Sequence, residues 1–152
     1  MGRGLLSGLW DVEAAIYAGP PPLEDRFQLG MQRAETALRA ARAEAERNGW
    51  AVSIAVVDTA GEPLGLVKLD GSPPDSARCA IRKAQQAIAA EQCGVVDEAS
   101  LMSRARYARY SAVAIALYVE DLCIGAVAVH GVHRSEAAHV AHAGAEAFER
   151  AD

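Results

Sequence analysis

The chain is poor in aromatic side chains, which make up 5% of its 152 residues, and it has only three cysteines, Cys79, Cys93 and Cys123. An odd set without Cys-x-x-Cys spacing argues against a disulfide framework and fits reduced thiols in a cytoplasmic protein. An excess of positive charge is also missing. The formal net charge is −5, which argues against nucleic acid as a main partner, because phosphate binding needs a basic surface. No run of about 18 apolar residues occurs, so no membrane-spanning helix is expected. The opening "MGRGLLSGLW" meets Asp11 and Glu13 too soon for a secretion signal. No Gly-x-Gly-x-x-Gly or Walker pattern accompanies a strand–helix–strand unit, so a nucleotide-binding fold has no support.

Apolar residues are abundant at 51% of the chain. Many are alanine, which predicts close packing through small side chains. The length suits one compact domain. Residues 9–18 read as a short amphipathic helix, and Gly19 to Pro22 break it. Residues 1–22 are therefore expected to be an appendage, and residues 23–152 the domain.

Helical spacing of Phe27, Met31, Ala34, Leu38, Ala41 and Ala45 predicts a long helix from Leu23 to Asn48, closed by Gly49. "AVSIAVVD" (Ala51 to Asp58) alternates Val52, Ile54 and Val56 with Ala51, Ser53 and Ala55, which predicts a strand. "LGLVKLD" (Leu64 to Asp70) returns as its hairpin partner. The loop "GSPPDS" leads into a second helix striped by Ala77, Ala80, Ile81, Ala84 and Ile88, with Pro73 or Pro74 expected in its first turn. "SAVAIALYV" (Ser111 to Val119) and "LCIGAVAVH" (Leu122 to His130) form a second hairpin, and a last helix covers Ser135 to Arg150. Tight turns require antiparallel pairing. The expected fold is α+β, in the order α-β-β-α-β-β-α.

All four histidines crowd into "AVHGVHRSEAAHVAHAG", at His130, His133, His139 and His142. At 100° per residue, Ala137, Val140, Ala141, Gly144 and Phe148 form the buried stripe of the last helix, and His139 and His142 fall opposite. They are read as solvated or at an interface; a clamp on a metal with Glu146 is the sharper alternative. His130 ends a strand and His133 precedes the helix, where sites tend to be built and where free backbone N–H groups welcome an anion. Each is a candidate catalytic residue or metal ligand, with a hydrogen-bonded or capping histidine as the plain alternative. Asp70 joins them as a catalytic candidate because "LDGSPPDS" leads to a helix start. Ser76, Arg82 and Lys83 on the second helix, and Arg106 within "RARYARY", are candidate ligand-binding residues. Asp58 reads as a turn residue, and the cysteines as core fillers.

"NGWAVSIAVVDTAGEPLGLVKLDG", "SARCAIRKAQQAIAA", "IGAVAVHG" and "SEAAHVAHAGAEAF" together resemble the GlcG/HbpS-like family, formerly DUF336, over roughly Leu23 to Phe148. The resemblance implies a profilin-like antiparallel sheet flanked by helices, often in homo-oligomers. It implies haem or another tetrapyrrole as the first cofactor to consider, with His130 or His133 as axial candidates; the family also includes haem-degrading members and domains attached to corrinoid adenosyltransferases. Two stretches depart from the family pattern. "RYARYSAVAIAL" lacks the usual Gly-Gly-x-Pro, and "HGVHRSEAA" puts histidine where many members have serine. Three functions follow as expectations. The first is a protein binding an anionic small molecule at a sheet-edge pocket. The second is a cofactor-free acid–base enzyme (isomerase, dehydratase or cyclase) of a biosynthetic pathway, using His130 or His133 with Asp70. The third is a subunit or partner-binding module.

Overall fold

The structure is a computed structural model, and it describes residues 27–92 and 113–151. The appendage at residues 1–22 and the segment holding Arg106 lie outside the described residues. Helix α1 spans Met31–Asn48, strands β1 and β2 span Ser53–Asp58 and Pro63–Lys68, and helix α2 spans Ser76–Gln92. Strands β3 and β4 span Ala114–Val119 and Leu122–His130, and helix α3 spans Arg134–Arg150. The strands form one antiparallel sheet in the order β2-β1-β4-β3. The α+β expectation holds.

The two faces of the sheet are built from different residues. Ile54 and Val56 of β1, and Val52 just before it, join Ile124, Val127 and Val129 of β4 on one face. There they meet Ala34, Leu38 and Ala41 of α1 and Val140, Ala141 and Phe148 of α3. Val57 of β1 and Ala126 and Ala128 of β4 point the other way, onto Ala84, Ala87 and Ile88 of α2. The period of two in β1 thus sends Ile54 and Val56 to one layer and Val57 to the other.

Several boundaries differ from the sequence reading, β1 starting at Ser53 and β2 spanning Pro63–Lys68 among them. Helix α1 starts at Met31, after an extended Gly30 (φ −81°, ψ 165°), and Met31 is 56% exposed instead of lying in the stripe. Glycine is costly inside a helix, so the chain enters the helix just after it. Pro73 and Pro74 precede α2, because Asp75 takes a left-handed φ of 64° and its carbonyl accepts the first helical bond, from Cys79. Strand β3 starts at Ala114, and α3 starts at Arg134. Gly49 closes α1 as expected, at φ 70°.

Candidate functional site

Strand β4 carries His130 to the edge of the helix layer formed by α2. Its cross-strand partner is Ser53 of β1. Ser53 is fully buried, and its hydroxyl hydrogen-bonds the hydroxyl of Ser76, at the start of α2, at 2.7 Å. Two turns further along α2, Lys83 reaches back, and its Nζ lies 2.6 Å from His130 Nδ1. Four residues apart on a helix, Cys79 and Lys83 share a face. Burial pushes the Lys83 ammonium below the ordinary lysine range; a Cys79 thiolate would oppose this, while the Arg134 guanidinium adds to it. Burial first, and the Lys83 charge second, likewise push His130 below the usual imidazole value.

The chain turns at Gly131, whose φ of 135° other residues rarely adopt and where an added Cβ would come within 2.8 Å of the Ala51 carbonyl and 3.2 Å of Pro73 Cδ. The Gly71–Ser76 loop thus passes close against the junction of β4 and α3. His133 is the N-cap of α3. Its Nδ1 accepts from the Ser135 backbone N–H at 3.4 Å and meets Ser135 Oγ at 3.0 Å. The corner therefore gathers Ser76, Lys83, His130 and Arg134, with His133 exposed at its rim.

Other candidates lie elsewhere. Arg82 is exposed on α2. Asp70 lines a separate groove of about 440 Å³ with Arg42, Trp50 and Lys68, and Arg106 lies outside the described residues. Asp58 acts as a turn residue, its Oδ1 accepting from the Ala60 and Glu62 N–H groups. Burial pushes the Cys123 thiol up, and it sits at the far end of β4, about 20 Å from His130 at ~3.3 Å per residue.

His139 is exposed but not idle. Its Nε2 lies 2.8 Å from Glu44 Oε1 on α1, and Trp50 packs edge-on against its ring. Burial opposes ionisation of Glu44, yet hydrogen bonds from His139 and Asn48 and the Arg47 charge outweigh it and hold the carboxyl below its ordinary range. Glu146 pairs with Arg150. Among the described residues, no three His, Cys, Asp or Glu side chains converge as a metal site. Sequence reasoning missed Glu44, Ser53 and Arg134. Ser53 left one signal, a lone hydroxyl in the alanine row of β1.

Solved structures share this fold. Klebsiella pneumoniae protein ORFY, of family DUF336, superposes with a TM-score of 0.66 at 18% identity, over 86% of this chain and 95% of that one. The PduOC:heme complex superposes at 0.62 and 20% identity, over 79% and 94%. A double mutant of Streptomyces reticuli HbpS does so at 0.62 and 24% identity, over 84% and 90%. Among curated proteins, GlcG of Escherichia coli is 35% identical over 65 residues, 43% of this chain and 48% of GlcG. The chain thus matches about half the length of that relative. Residues 29–146 match the family described as haem degrading protein HbpS-like, well over half of the chain, and on that match the chain belongs to the HbpS-like family.

Proposed function

We propose that this protein binds a small molecule carrying anionic groups at the corner formed by the end of β4, α2 and the start of α3. The observation that carries this reading is the half-buried Lys83–His130 pair at 2.6 Å, with the Arg134 charge close enough to oppose that of Lys83. Cations held together at the edge of a sheet repel one another, and an anion between them relieves that repulsion.

Haem is the first ligand to test, because the family is described by haem degradation and a structural relative was solved with heme. The corner suits one half of that molecule better than the other. Haem carboxylates match Lys83 and Arg134 as charge-assisted acceptors. The iron needs a bare ring nitrogen. Nδ1 of His130 is held by Lys83, and Nδ1 of His133 caps α3, so in each neutral ring the proton belongs on Nε2. The residues fit the carboxylates, and they do not fit an iron on His130 or His133.

Titration of the whole protein with haemin and with iron-free protoporphyrin IX tests the reading. Both should bind with similar affinity. Lys83→Ala should weaken both about 10–100-fold, the ~1.5–3 kcal/mol of a hydrogen bond to a charged group. Equal affinity in the variant removes the corner as the site.

The same pair supports a second reading, a cofactor-free acid–base enzyme. A neutral imidazole beside a lysine is equipped for proton transfer on a carbonyl substrate, contributing roughly 10²–10⁴-fold. In that case Lys83 is the nearer partner, since Asp70 opens on the other groove. Turnover of an enolisable oxo acid that survives His130→Ala unchanged would sink this reading.

A further inference from the structure

We propose that Lys83 is a positioning residue that locks His130 in the tautomer protonated on Nε2, so that the corner recognises an oxygen acceptor, a carboxylate or enolate, and not a metal centre. The proposal deepens the ligand-binding reading above and rests on it for the location of the site.

The argument starts from what each group can offer. A lysine ammonium has donors and no acceptor; a neutral imidazole has one N–H and one lone pair. At 2.6 Å, Lys83 Nζ and His130 Nδ1 must share one proton. Two protons, from ammonium and imidazolium together, would clash. A neutral lysine accepting from Nδ1–H would require a half-exposed amine to give up its proton at neutral pH, although an ammonium is favoured wherever water reaches it. The arrangement left is ammonium to Nδ1, with the ring proton on Nε2.

The surroundings reinforce that arrangement. Ser53 lies across from His130 on β1, but its hydroxyl is already bonded to Ser76. Among the described residues, the charge acting on the ring is that of Lys83, which in turn feels Cys79 and Arg134. An acidic neighbour would pull the proton to the side facing it, as Glu44 does at His139 Nε2. The ring then offers a donor outward, His130 Nε2–H, beside the remaining N–H bonds of Lys83. Donors of this kind complement the oxygens of a carboxylate or an enolate. They leave a metal ion no ring lone pair to bind.

Nitrogen-15 NMR of the His130 ring at pH 8 reads the tautomer directly. Nδ1 should resonate as a bare nitrogen and Nε2 as a protonated one. Lys83→Arg should preserve this pattern. Lys83→Met, similar in length but apolar, should release the ring to a mixture of tautomers. A wild-type ring protonated on Nδ1, or a Lys83→Met ring identical to wild type, overturns the proposal.

Haemin gives a second, independent readout. The wild-type protein should show no axial band that depends on His130. Lys83→Met should gain one, and it should vanish in the double variant with His130→Ala. A wild-type Soret shift abolished by His130→Ala alone overturns the lock, as does a Lys83→Met protein that gains no band. If the NMR pattern holds while protoporphyrin IX binding ignores Lys83, the lock stands, and the placement of the site and the ligand class built on it fall.

Discussion

The two faces of the sheet differ in how they are covered and in what they carry. On one, α1 and α3 pack side by side over branched aliphatics and Phe148, all buried. On the other, α2 alone covers a smaller cluster rich in alanine. Leu66 on β2 and Tyr118 on β3, toward the two edges of that second face, are 44% and 40% exposed. The polar pairs follow the same division. The single-helix face holds the buried Ser53–Ser76 bond and the Lys83–His130 pair. The lesson is that one face provides stability by apolar burial, while the thinly covered face leaves room at its end for paired polar side chains.

Truncation tests that contrast most strongly. Phe148→Ala should cost about 3–5 kcal/mol, because Phe148 is 1% exposed among close-packed neighbours and its cavity has nothing to refill it. Ile88→Ala on the other face should fall near the low end of the ~2–5 kcal/mol range, because Ile88 borders a water-accessible hollow of about 530 Å³. Equal losses in urea unfolding would show that the faces do not differ in this way.

The next effect concerns the serine pair. Ser53→Ala leaves the buried Ser76 hydroxyl without its partner and should cost about 1–3 kcal/mol. Adding Ser76→Ala should recover part of that loss, since no unsatisfied group remains. A double-mutant cycle measures the coupling, and strict additivity would show that the two hydroxyls act independently.

Acid titration separates the faces by the pH range in which each loses stability. Glu44 ties α1 to α3, and its carboxyl sits below the ordinary range in the folded chain. Its contribution is present above the ordinary carboxylate value of 4.5 and is lost as pH falls through the lower folded value. Glu44→Gln should therefore lower the melting temperature at neutral pH and converge with wild type in strong acid. His130 works earlier. Its folded value lies below the ordinary 6.5, so below pH 6.5 the unfolded chain takes up a proton that the folded chain resists, and stability falls. His130→Ala should flatten that slope between pH 6.5 and the folded value. This is the smallest of the expected effects, and an unchanged slope would show that the imidazole is not held neutral.

Much of the architecture was legible residue by residue. The alternation of Val52, Ile54 and Val56 with Ser53 and Ala55 announced a two-sided strand, and the structure divides those residues between two layers. The end of β4 at His130 and the cap at Gly49 were legible too, because a strand end and a glycine C-cap are set by neighbours in the chain. The helix angle rightly kept His139 and His142 out of the core. It did not reveal that His139 meets Glu44 of another helix. Asp70 was grouped with the histidines because its loop runs toward α2, yet its side chain lies on a different groove.

What the sequence by itself determined is the pattern of small and branched residues, and with it the sheet, its two unequal faces and the family. What only the tertiary structure decided is which nitrogen of His130 and of His139 is engaged. Lys83 and His130 lie 47 residues apart, and Glu44 and His139 lie 95 apart. Periodicity follows from the local backbone, repeating every two or 3.6 residues. A tautomer is set by whichever donor or acceptor the packing of distant elements brings within about 3 Å.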